Sequence, residues 1–137
     1  MSFNPDLTEI FATDSESEEE GIWVDVTDEI AFKIRAIGAK AVVERREELM
    51  RPFQGIIKAG GKVPEAKNEE IGRKVLASAV IADWKGVKDE EGNELPCNED
   101  NAYRLITELP RLANFVIQTS TDQESYRQST REDDAKN

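Results

Sequence analysis

Residues 82–100 read ADWKGVKDEEGNELPCNED, and the fold turns on how they are read. The stretch holds one of the chain's two tryptophans, then a glycine, then an acidic turn ending in Leu95-Pro96. It contains no histidine and no glycine pattern that could cradle a phosphate. Gly86 and Gly92 permit backbone geometries that other residues resist, and Pro96 stops any helix from running through. The stretch therefore reads as a joint between two helices.

The helix before the joint is expected to start with Asn68 as N-cap, to carry Glu69 and Glu70 in its first turn, and to run to about Trp84. Ile71, Val75, Ala79 and Ala82 make one apolar stripe, and Leu76, Val80 and Trp84 make its neighbour. After the joint, Asn98 reads as the N-cap of the next helix, with Ala102, Leu105, Ile106 and Leu109 along its apolar face. Pro110 reads as the first residue of a further helix that adds Leu112, Phe115 and Val116.

Further upstream, GIWVDVTDEIAFKIRAIG (residues 21–38) has a different period. Ile22, Val24 and Val26 alternate with Trp23 and Asp25, and Phe32 and Ile34 alternate with Lys33 and Arg35. Such alternation predicts two strands with one buried face, joined by a hairpin loop at Thr27–Ile30. Two strands alone are marginal in water, so the hairpin must lie on a helix or pair with another chain. A helix from Ala39 to Met50 follows, and QGIIKAGGKVPEAK (residues 54–67) reads as a loop or a broken short helix. The expected fold class is α+β, mostly α: an N-terminal β-hairpin, then a small helical domain of about four helices, with polar flexible ends. The organisation expected is an acidic arm at 1–20, one domain at 21–118 and a polar tail at 119–137.

Charge is unevenly spread over the 137 residues. Residues 1–30 carry ten acids and no base, whereas residues 31–62 carry eight bases against three acids. Residues 89–108 return to seven acids and one base. This pattern suggests docking of acidic on basic surfaces, within or between chains. Duplex binding is disfavoured, because the basic segment is flanked by larger acidic ones. No apolar run approaches a membrane span, and the first residues lack the basic and apolar regions of a signal peptide. A soluble cytosolic protein is expected, with no nucleic acid and no membrane among its partners.

The chain is poorly supplied for catalysis. It has no histidine, so Ser-His and Cys-His pairs are impossible. Its carboxylates sit in polar runs where nothing raises a pKa. The acidic turn fails as a calcium loop: with Gly92 in sixth place, positions one and twelve are Val87 and Asn98. The single cysteine, Cys97, has acidic neighbours that work against a reactive thiolate. No enzyme activity, cofactor or metal is expected. Trp84 reads as a tether whose indole N–H finds a partner in the turn, with partner binding the alternative. Trp23, on the polar face of the hairpin, is the better candidate for a protein contact and for self-association.

At DWKGVKDEEGNELPCNEDNAYRLI (residues 83–106) the chain resembles the tail assembly chaperones of long-tailed bacteriophages. The residues that carry the resemblance are Asp83, Trp84, Gly86, Val87, Asp89, Gly92, Leu95 and Pro96. Cys97 stands where the family has an aromatic residue. Gly21, Trp23, Val24, Phe32, Lys33, Ile34 and Arg35 match a second stretch of the family, and the final Ala135-Lys136-Asn137 is also similar. The resemblance implies a small, mostly helical protein of the infected cell's cytoplasm, absent from the mature virion. It implies binding and solubilising of the tape measure protein and recruitment of tail tube subunits. A longer form made by ribosomal frameshifting at the final three residues would contact the tube protein. The candidate structural and partner-binding residues are Trp23, Phe32, Asp83, Trp84, Gly86, Val87, Asp89, Gly92, Pro96, Leu105, Leu109 and Leu112. Two other classes stay open: a head–tail connector or other virion structural part, and an acidic nucleic-acid mimic.

Overall fold

The acidic arm is helical. A computed structural model describes residues 4–127. In it α1 (Pro5–Phe11) starts with Asn4 accepting from the backbone N–H of Asp6, and α2 (Ser15–Glu20) starts with Asp14 accepting from that of Glu16. These caps satisfy N–H groups that a helix start leaves without partners. No side chain of α1 is buried, whereas Ser17 of α2 is. The arm is tied to its own chain through backbone groups, and among the described residues no ion pair joins it to the basic segment. Glu19 accepts from the backbone N–H of Lys40 at 2.9 Å, and Arg35 Nε donates to the carbonyl of Glu19 at 2.9 Å.

The hairpin forms as expected, from β1 (Ile22–Asp25) and β2 (Ala31–Ile34) in antiparallel register. Its loop is pinned by Thr27 Oγ1, which accepts from the N–H groups of Glu29 and Ile30. Then come α3 (Lys40–Met50), a 3-10 turn at Arg51–Phe53, the short α4 (Gln54–Lys58) and α5 (Glu65–Val75). Pro64, not Asn68, stands at the N-cap of α5, so Asn68 lies inside the helix.

The main correction concerns residues 76–85. The helix expected to reach Trp84 ends instead in a π-helical turn, Leu76–Val80, which passes directly into a strand, β3 (Ile81–Lys85). β3 pairs antiparallel with β2 and gives a sheet of order β1-β2-β3. The partner that the hairpin needs is therefore supplied by its own chain. The misreading has a definite cause. Ile34 faces Ile81 but Lys33 faces Asp83, so Ala82 is an extra residue that interrupts the pairing. The interruption puts Ile81 and Trp84 on the same buried side. Their spacing of three then mimics a helical stripe.

Two helices close the described fold. α6 (Glu99–Glu108) has Asn98 as its N-cap, accepting from the N–H of Asn101, and α7 (Pro110–Thr121) starts at Pro110, both as the sequence predicts. α3 is tied to α6 by Arg45, whose Nη2 meets Glu99 at 2.9 Å. The core gathers Phe32, Ile34, Val42, Val75, Val80, Trp84, Ile106 and Val116 from every layer. The polar tail expected from Thr119 carries helical structure as far as Tyr126. α7 runs to Thr121, and a 3-10 turn at Gln123–Tyr126 buries Tyr126, whose hydroxyl donates to the carbonyl of Ile34 at 2.9 Å. The final Ala135-Lys136-Asn137 lie outside the described residues. Among the described residues, no helix is long and apolar enough to cross a membrane.

Candidate functional site

Three neighbouring elements leave a gap that their side chains do not fill. The hairpin loop contributes Val26 and Ile30, the end of β3 contributes Gly86 and Val87, and the α6–α7 corner contributes Leu105, Leu109, Leu112 and Phe115. With Phe32 at its base they line an apolar groove of about 700 Å3. Asp25, Lys88 and Arg111 are the charged residues of its lining. The corner itself follows from sequence: Pro110 lacks the N–H needed to continue α6, so the chain turns at Leu109 and leaves that side chain 50% exposed. Lys88 and Leu105 also border a second depression of about 520 Å3, which adds Asp89, Glu90, Glu91 and Glu108. The apolar groove thus adjoins a depression that carries four carboxylates beside Lys88 and Arg104.

Six of the twelve candidate residues line this groove: Phe32, Gly86, Val87, Leu105, Leu109 and Leu112. The others are placed around it. Trp84 is buried beneath the sheet. Its Nε1 donates to the carbonyl of Leu95 at 2.8 Å, and its ring meets Phe32 edge-on at 6.0 Å between centroids. Asp89 holds the acidic turn closed by accepting from the N–H groups of Glu91 and Asn93, both at 2.9 Å. Gly92 supplies the positive φ of that turn, +87°. The carbonyl of Pro96 accepts from the Asn101 side chain, tying the turn to α6. Asp83 accepts from the N–H of Trp84. Trp23 stands apart, on the exposed side of the sheet, with the Lys85 ammonium 4.2 Å from its ring centre.

Sequence reasoning missed the contributions of Asp25, Val26, Ile30, Lys88, Arg111 and Phe115 to the groove. Val26 was expected on the buried face of the hairpin, but it lies beyond the end of β1 and is 50% exposed. An apolar residue stranded past its strand was the available signal.

Burial, and then the charge of Asp83, push the Cys97 thiol up to about 11. It is therefore protonated at neutral pH and a poor nucleophile. No group of three or more His, Cys, Asp or Glu side chains among the described residues is arranged to hold a metal ion.

Fold and groove together define a small α+β protein built to present an apolar recess between a sheet end and a helical corner. The chain belongs to the YdaY prophage protein family, whose model matches residues 37–137. It is thus a protein of phage origin. The matched span begins after β2 and includes β3, the acidic turn and the α6–α7 corner. No curated protein and no solved structure matches the chain.

Proposed function

We propose that this prophage protein is a non-enzymatic tail assembly chaperone that binds and solubilises the tape measure protein and helps recruit tail tube subunits. The observation that supports the reading is the apolar groove with a carboxylate-rich depression beside it. A tape measure is long, helical and prone to aggregate when exposed. An amphipathic helix lays an apolar stripe into such a groove with anchors at i, i+3, i+4 and i+7. The acidic depression beside the groove favours a client whose stripe is followed by lysine or arginine. The net charge of −11 keeps the loaded complex soluble. Family membership supports a phage role, and the resemblance at Asp83–Pro96 favours the chaperone among phage roles. The protein acts in the host cytoplasm and is absent from the mature virion. The tube contact belongs to a frameshifted longer form.

Co-expression with the tape measure gene of the same prophage tests the proposal. The tape measure protein is expected in the soluble fraction, bound to this chain. Leu109→Asp and Val26→Asp change half-exposed side chains and leave the fold intact, yet each should return the client to the pellet. A client equally soluble with both variants would refute the groove as the binding surface. Mass spectrometry of purified particles addresses the connector alternative, because a chaperone is missing from them.

A further inference from the structure

We infer that the acidic arm of one copy docks on the basic tip between α3 and α5 of a second copy, so that the protein associates with itself through unlike surfaces. The arm is only half used within its own chain. Glu19 of α2 is committed to the start of α3, as described above. α1 is held through its main chain, with Gln123 Nε2 donating to the carbonyl of Ile10 at 2.5 Å and Arg127 Nη2 to that of Glu9 at 3.3 Å. Its side chains are left over. Leu7, Ile10 and Phe11 stand at i, i+3 and i+4, one helical face, and are 50%, 54% and 63% exposed. Among the described residues no base pairs with Asp6 or Glu9. An apolar stripe is thus fixed in place and turned outward inside a segment, residues 4–20, of seven acids and no base.

The complement lies on the other side of charge. α4 exposes Ile56 and Ile57, each 45%, and residues 51–63 carry three bases, Arg51, Lys58 and Lys62, with no acid. None of the three pairs with a carboxylate among the described residues. The tip is shaped rather than loose. The N–H of Gly61 donates to the carbonyl of Ile56 at 2.9 Å, and that of Gly60 to Ile57 at 3.0 Å. A small apolar patch in a segment of three cations thus matches a small apolar stripe beside Asp6 and Glu9, and among the described residues neither set of charges is paired. Contact between unlike patches leaves one of each free, so it propagates head to tail until a ring closes. Neither patch shares a residue with the groove's lining, so the inference stands apart from the chaperone reading.

Sedimentation velocity of the full chain at several concentrations tests it. Mean mass should rise with concentration and fall as salt is raised. Lys58→Glu/Lys62→Glu and Asp6→Lys/Glu9→Lys should each weaken association by roughly tenfold or more. Circular dichroism should be unchanged, because all four side chains are exposed. Mixing the two variants should restore association, since the lysine-bearing arm of one meets the glutamate-bearing tip of the other and the two unaltered patches still match. A single chain carrying all four reversals should associate again. A wild-type monomer at every concentration, association that survives the reversals, or no recovery in the fourfold variant would each overturn the inference. A monomeric chain that co-sediments with anionic vesicles, and loses them on Lys58→Glu/Lys62→Glu, would overturn it in favour of a lipid surface.

Discussion

A Cβ added to Gly86 would overlap the carbonyl oxygen of Glu29 and lie 2.9 Å from the carbonyl carbon. The hairpin loop rests directly on the backbone just after β3, and Gly86 has a φ of +77°. Gly86→Ala therefore combines a backbone collision with a strained conformation and should cost about 3 kcal/mol or more in urea unfolding. Gly92 has a similar φ, +87°, but nothing within 4 Å of its added Cβ. Gly92→Ala should cost only about 1 kcal/mol. Equal losses for the two variants would mean that the loop is not seated on Gly86.

Trp84 is a core residue with one polar obligation. Trp84→Ala should destabilise by roughly 3–5 kcal/mol through the cavity it leaves. Trp84→Phe keeps a ring against Phe32 but removes the donor to Leu95, and should cost about 1–3 kcal/mol. A loss below about 1 kcal/mol for the alanine variant would move Trp84 to the surface and toward partner binding.

Stability should fall in alkali. Burial raises the thiol of Cys97 to about 11, and it raises the hydroxyl of Tyr126 as well, with Glu18 and Asp122 adding to the effect. Both groups keep protons in the folded chain that the unfolded chain releases. Their contribution is whole below the ordinary thiol range, near pH 8.5, and is lost as pH rises toward 11. The tyrosine adds a second decline above about pH 10. Cys97→Ser should flatten the first decline and Tyr126→Phe the second. Chemical denaturation at pH 7, 9 and 10.5 reads both, and parallel curves for wild type and variants would contradict the assignment.

Trp23→Ser should cost no more than about 1 kcal/mol, because the ring is 40% exposed and meets mainly an ammonium group. It should also leave the sedimentation profile unchanged if copies meet through arm and tip. A shift to monomer would return self-association to the hairpin.

The features legible in the sequence are those with local causes. Strand alternation at Ile22–Asp25 and Ala31–Ile34, the cap at Asn98 and the break at Pro110 each act within a few residues. β3 was hidden because one extra residue, Ala82, turned a strand's period into a helix's spacing. Tyr126 was hidden because its reason for burial, the carbonyl of Ile34, lies ninety-two residues away. Part of the groove was visible as a motif, since Gly86 and Val87 lie just past Trp84-Lys85. Its far wall was not, because only the tertiary fold brings Val26 and Ile30 opposite Leu109.

The central strand of the sheet also sets an order of events during synthesis. β2 leaves the ribosome early, when β1 is the only other strand made. Ile34 must wait for Ile81 to gain its second strand, and for Tyr126 to satisfy its carbonyl. Contacts so distant along the chain close slowly, because loop entropy is lost before any contact forms. The hairpin is thus made first and fixed last. Until Ile81–Lys85 has emerged, Phe32 and Ile34 belong to a nascent hairpin whose third strand is still missing.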